Sequence, residues 1–301
     1  MTGSVSSLRK GRLVYLTGAL IAWGRGFKFF ARRFARNRGA VVGLVGVCLI
    51  SLLAIASGLV APYDPHDIVA KPFQAPSGGY WMGTDDLGRD VLSGVIFGGR
   101  ASLMVGLVSA GMAVVIGVVI GAVSGYYGGK LGDLLMRLTE MFMVVPQFFL
   151  AILIVAFFGS GFGKIILVIG ILSWPTVARL VRAQFLWLKE QQFVEAARSL
   201  GMSAPGIILG EILPNAIPPA IVAGSLQIAR AILLEASLSF LGLGDPNIFS
   251  WGTLLHDAQP FLRQAWWIAL WPGLAISIVV LAFNLVGDGL NDALNPRTQE
   301  R

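Results

Sequence analysis

A chain of 301 residues that is 55% hydrophobic and only 13% charged, with a mean hydropathy of +0.75, has too little polar surface to coat a water-soluble globule. An ordinary soluble domain carries about 25% charged residues. The single cysteine, Cys48, excludes a disulfide framework and a cysteine-rich metal site.

The formal net charge of +7 is unevenly placed, because residues 1–39 hold nine basic residues (Arg9, Lys10, Arg12, Arg25, Lys28, Arg32, Arg33, Arg36, Arg38) and no acid. Such an arm just before a long apolar run is a positive-inside signal attracted to anionic headgroups, rather than a nucleic-acid-binding tail. It does not read as a cleavable signal, since its apolar stretch Leu13–Trp23 starts too far in and no small-residue cleavage site follows. A short interfacial helix is expected over residues 13–30.

A span needs about 20 mostly apolar residues. Charge-free runs lie between Arg38 and Asp64, Arg100 and Lys130, Glu140 and Lys164, and Arg263 and Asp288. Another starts after Lys164 and meets Arg179 and Arg182; one more lies between Glu211 and Arg230 and continues past Glu235. The expectation is an all-α integral membrane protein with about six transmembrane helices. With the basic arm cytosolic, residues 62–100 fall outside, and their five Asp against Lys71, Arg89 and Arg100 suit an external loop. Residues 187–215 are then cytosolic, 239–265 external, and both termini cytosolic. Trp266, Trp267 and Trp271 fall at the outer interface, and Tyr126 and Tyr127 at the inner one. Gly117, Gly121 and Gly125, at four-residue spacing, form a face that another helix can approach closely. Pro146, Pro175, Pro214, Pro218 and Pro219 lie in or beside spans, where the carbonyls they free need partners or water.

Four charges sit where charge is costly. Arg137 and Glu140, three apart, read as a self-compensating pair. Arg230 and Glu235 lie inside a span, where a central charge costs about 2.5–3.5 kcal/mol on insertion scales. Five residues apart, they occupy different helix faces, so they are candidates for pathway lining or structural anchoring, Glu235 near the outer end. Asp288 reads as a solvated end of the last helix.

Reaction chemistry is missing from the pattern. His66 and His256 lack metal-ligand spacing, and no serine elbow or Cys/His pair occurs. Gly163-Lys164 has Phe158 and Ile165 where a phosphate loop needs Gly and Ser/Thr; Gly129-Lys130 has Ser124 and Leu131. The expectation is a chain that is no enzyme, holds no metal or cofactor, and cannot be its own ATPase.

The cytosolic segment is the informative one. Gln191–Leu200 reads as a short helix ended by Gly201, and Ser203 can cap a second helix with Pro205 in its first turn. The second helix is amphipathic through Ile207, Ile208 and Leu213 and must bury that edge, on its own bundle or on a partner. Glu195-Ala196-Ala197, then Gly201, then Leu213-Pro214 resembles the EAA loop of permeases of binding-protein-dependent ABC importers. Glu211 departs from that pattern, which prefers Ile there. Trp81–Asp90 (WMGTDDLGRD), Glu235–Gly244 (EASLSFLGLG) and Asn284–Leu290 (NLVGDGL) are similar to blocks of the dipeptide/oligopeptide/nickel branch, so the likeness covers about residues 80–292.

The resemblance implies a type I ABC importer permease fold and the second, C-type permease of a peptide importer in the inner (cytoplasmic) membrane. It implies a similar second permease, two ATPase subunits carrying ATP and magnesium, and an external solute-binding protein as partners in a lipid membrane. It assigns coupling to Glu195, Ala196, Ala197, Gly201, Leu213 and Pro214. The cargo would be dipeptides or oligopeptides; the alternatives are a nickel permease of the same branch or an ion-gradient secondary transporter. The expected organisation is a basic arm (1–39), a first transmembrane helix (40–61), an external loop (62–97), a five-helix core (98–290) holding the loop 187–215, and a cytosolic tail (291–301).

Overall fold

A computed structural model of the protein describes residues 30–294. The interfacial helix expected over 13–30, apart from its last residue, and the tail beyond 294 lie outside the described residues. What is described is helical, with α1 (Arg38–Ile55), α2 (Val91–Tyr127), α3 (Gly129–Val144), α4 (Gln147–Phe158), α5 (Phe162–Leu188), α6 (Gln192–Ser199), α7 (Leu213–Leu238), α8 (Trp251–Ala258) and α9 (Trp267–Leu294). Five helical stretches are long and apolar enough to cross a bilayer: α1, α2, α5, the run Ala204–Leu243 built around α7, and α9. A sixth span is reached only if the bent pair α3 and α4 is taken as one. The charge-free run after Glu140 is divided between α3 and α4, which meet at an 82° bend. Pro146 sits at the break, where it has no amide to donate to a continuing helix.

Helix ends follow local chemistry. Asp90 caps α2, accepting at 2.8 Å from the amide and at 2.7 Å from the hydroxyl of Ser93. α2 therefore begins nine residues before Arg100, which lies inside the helix instead of marking its start. The last helix likewise continues past Asp288 to Leu294, although Asp288 itself is exposed.

The core is the pairing of α2 with α5. A side chain grown from Gly117 would start 2.6 Å from Cβ of Val177, and one from Gly125 2.6 Å from Cβ of Phe185. Between them Gly121 approaches the Ala178 carbonyl just as closely. The expected glycine face is thus in use. In a membrane, close backbone approach supplies the dispersion contact that hydrophobicity cannot, since lipid tails are equally apolar. The Ser109 hydroxyl adds a bond to the Ile166 carbonyl at 3.0 Å across the same seam. Pro175 within α5 is buried against this seam.

Residues 61–90 fold onto the start of α9. The Trp267 indole donates to the Thr84 carbonyl at 3.2 Å, and the Thr84 side chain accepts the Gln74 amide and donates to the Lys71 carbonyl. Trp267 is therefore buried under the loop, whereas Trp266 is 57% exposed.

Candidate functional site

The polar segment between α5 and α7 has two faces. Val194 and Ala197 on α6 and Ile207 and Ile212 beyond it are buried with Val177, Val181, Phe185 and Leu188 of α5. Ile208 and Leu213 pack against the same cluster. The amphipathic edge read from the sequence is thus covered by the chain's own bundle. Away from it, Glu195, Ala196, Gly201 and Pro214 are exposed, and so are Leu200 (86%) and Leu209 (63%). Of the six expected coupling residues, four are presented outward and two, Ala197 and Leu213, hold the loop in place.

The turn after α6 is built from backbone. Gly201 has φ +79, its amide bonds the Arg198 carbonyl at 2.9 Å, and the Met202 amide bonds the Ala197 carbonyl at 3.1 Å. This is a complete Schellman closure, which requires a left-handed residue where Gly201 stands. Ser203 occupies the cap position of the next helical turn with extended geometry, yet its side chain makes no capping bond. Pro205 opens that turn as expected, and a π-helical stretch Ile207–Ile212 leads into α7.

Arg230 and Glu235 do not meet. Glu235 is 3% exposed and accepts hydroxyl bonds from Ser250 (2.7 Å), Ser239 (2.8 Å) and Ser102 (3.4 Å). Ser102 in turn accepts the Trp251 amide at 3.2 Å. The carboxylate is a hub joining α7, α2 and the start of α8, an anchoring arrangement. Ser250 also caps α8 in a reciprocal box with Thr253, the one sequence signal that could have located it. Arg230 is exposed and lines a small cavity at the α3–α4 break.

Arg137 and Glu140 are both exposed, and no ion pair joins them among the described residues. The charge contact made by α3 runs from Asp133 to Arg182 of α5 at 3.7 Å, a pairing between helices that local spacing does not reveal. In the segment before α2 and in α8, burial raises the Asp85 and Asp257 carboxyls from the ordinary aspartate value. Asp245 is lowered, because its carboxylate accepts the amides of Asn247 (3.0 Å) and Phe162 (3.1 Å), the latter at the start of α5.

Residues 117–300 match the family described as the inner membrane component of binding-protein-dependent transport systems, and residues 27–76 match the N-terminal transmembrane domain of oligopeptide transport permease C. The chain is 40% identical to a di/tripeptide transport system permease protein of Pseudomonas aeruginosa, over 90% of this chain and 92% of the relative. It is 37% identical to a dipeptide transport system permease protein of Alkalihalophilus pseudofirmus, over 93% and 91%. It is 42% identical to a glutathione transport system permease protein of Escherichia coli, over 89% of each. Among solved structures, the MetNI methionine ABC transporter in inward-facing conformations matches with a TM-score of 0.56 and 19% identity, over 67% of this chain and 96% of that one. At that identity the likeness concerns the fold.

Proposed function

The chain belongs to the family of inner membrane components of binding-protein-dependent transport systems, and on that premise we propose that its cargo is a dipeptide or oligopeptide. It is a multi-pass transport subunit with the type I ABC importer permease fold, and its family works with ATP-hydrolysing and substrate-binding partners. The peptide reading is supported by relatives at 37–42% identity that are named for peptides and, in one case, for glutathione, itself a tripeptide. A binding protein delivers peptide at the outer face, a second and similar permease completes the conduit, and two ATPase subunits hydrolyse ATP. The membrane is the cytoplasmic one, with both termini on the cytosolic side.

The organisation proposed is the basic arm 1–39, the first helix 40–61, the external loop 62–97, the core 98–290 and the tail 291–301. Coupling runs through the loop. Glu195, Ala196, Gly201 and Pro214 face the ATPase subunit, while Ala197 and Leu213 transmit its movement to α5 and α7 through the shared apolar cluster. No substrate bond is made or broken on this chain. The observation that carries the coupling reading is the pairing of a buried inner face with an exposed outer one in a segment this short.

Uptake decides the cargo. Vesicles holding the assembled importer and its binding protein should accumulate labelled dipeptide with ATP and leave labelled nickel outside. Nickel uptake without peptide uptake would move the chain to the metal-transporting alternative, and gradient-driven uptake with the ATPase absent would favour a secondary transporter.

A further inference from the structure

The small cavity at the α3–α4 break has an unusual wall for a membrane interior. Its volume of about 160 Å³ suits a terminal group and not a whole ligand, since drug-sized ligands occupy about 300–1,000 Å³. Its polar lining comes from three helices, namely Gln147 of α4, Ser173 and Thr176 of α5, and Gln227 and Arg230 of α7, and it contains no acid. Gln227 is only 4% exposed and its side chain makes no hydrogen bond among the described residues. Gln147 donates its amide nitrogen to the Ser173 hydroxyl at 2.7 Å, and that hydroxyl donates to the Ile169 carbonyl at 2.6 Å, so the wall is fixed. The Gln147 carbonyl oxygen is left to accept.

Arg230 carries the charge. It is exposed on a span, one helical turn from Gln227, and among the described residues no carboxylate lies within ion-pair distance of it. Glu235 does not neutralise it, because Glu235 is five residues on, about 140° around the helix and about 7.5 Å outward. Glu235 is moreover occupied by three serines. An unpaired guanidinium at that depth faces a cavity or a partner, not lipid. A second guanidinium, that of Arg179, touches Met143 of the same cavity wall at 3.5 Å, so the positive potential continues inward.

We propose that Arg230, Gln227 and Gln147 form a subsite for the C-terminal carboxylate of the cargo on its way through the membrane. The guanidinium and the Gln227 amide donate to the carboxylate oxygens, and the Gln147 carbonyl accepts the last peptide N–H. This rests on the peptide reading of the preceding subsection. A cation or an uncharged solute would find no matching group there.

The test uses the complete importer, purified without the binding protein so that the latter's own selection does not intervene. The probe is a dipeptide bearing a benzophenone side chain, as the free acid and as the C-terminal amide. The free acid should label residues of the cavity wall such as Met143, with at least tenfold less labelling by the amide. Arg230→Gln should lose that labelling at least tenfold and Arg230→Lys should keep part of it, while ATP hydrolysis by both variants still responds to loaded binding protein. Equal labelling by acid and amide, or labelling unchanged in Arg230→Gln, overturns the subsite. If ATP hydrolysis by Arg230→Gln no longer responds, Gln227→Leu serves in its place, with the same loss expected and unchanged labelling overturning the proposal. Absence of peptide uptake by the wild-type importer would instead sink the peptide reading itself, and this subsite with it.

Discussion

The amide of Met202 bonds the carbonyl of Ala197 at 3.1 Å, closing α6 across a left-handed Gly201. A Cβ at Gly201 would meet nothing within 4 Å, so the position demands a backbone conformation and not space. Left-handed geometry costs an ordinary residue about 1–2 kcal/mol, more for a β-branched one, and asparagine least.

Gly201→Val should therefore weaken the stimulation of ATP hydrolysis by loaded binding protein several-fold, while Gly201→Asn keeps most of it. Full stimulation in the valine variant would show that the turn does not matter to coupling.

Ala196 and Ala197 are neighbours with opposite exposures. A bulky Ala196→Trp should leave the chain's thermal unfolding in detergent unchanged and prevent co-purification of the ATPase subunit. Ala197→Trp should lower the unfolding temperature, since overpacking a filled site costs about 1–3 kcal/mol. Reversed phenotypes would mean that the outward face is misassigned.

The α2–α5 seam admits no side chain at Gly121, whose Cβ would lie 2.6 Å from the Ala178 carbonyl. Gly121→Leu should abolish the folded chain, read as loss of the monodisperse peak in detergent. Gly111 on the same helix meets nothing within 4 Å, and Gly111→Leu should be neutral.

Glu235 holds three hydroxyls in one buried place. Glu235→Leu removes the acceptor of their O–H groups, at about 1–3 kcal/mol for each donor left unsatisfied. Hydrogen exchange in residues 239–258 should accelerate in that variant and change less in Glu235→Gln, which retains an acceptor.

Asp245 should titrate below an ordinary aspartate, because two backbone amides bond its charged form. A lowered folded-state value contributes stability that is present above the unfolded value, about 3.9, and is lost as pH falls through the folded one. Carbon-13 titration of labelled aspartate in the wild type and Asp245→Asn checks this, and a signal at or above the ordinary value would contradict it.

Much of the fold was legible because membrane insertion writes itself into composition. Charge-free runs marked the spans, and the spacing of Gly117, Gly121 and Gly125 marked the α2–α5 seam. The bend at Pro146 was harder to read, since a proline in a span can be tolerated with local adjustment. The Glu235 hub escaped because Ser102, Ser239 and Ser250 come from separate segments, and serine alone carries no spacing signal. In the loop, the pattern Glu195-Ala196-Ala197 to Leu213-Pro214 marked the segment but not its sides. Which residues turn inward depends on where α5 lies, a tertiary fact that helical periodicity over eight residues does not fix.

The central claim is that the loop between α5 and α7 transmits ATP hydrolysis to peptide movement. Glu195→Lys tests it most directly, in proteoliposomes of the assembled importer supplied with binding protein, ATP and labelled dipeptide. The expected result is at least a tenfold loss of uptake with the chain still inserted in normal amount. Uptake at the wild-type rate would contradict the account.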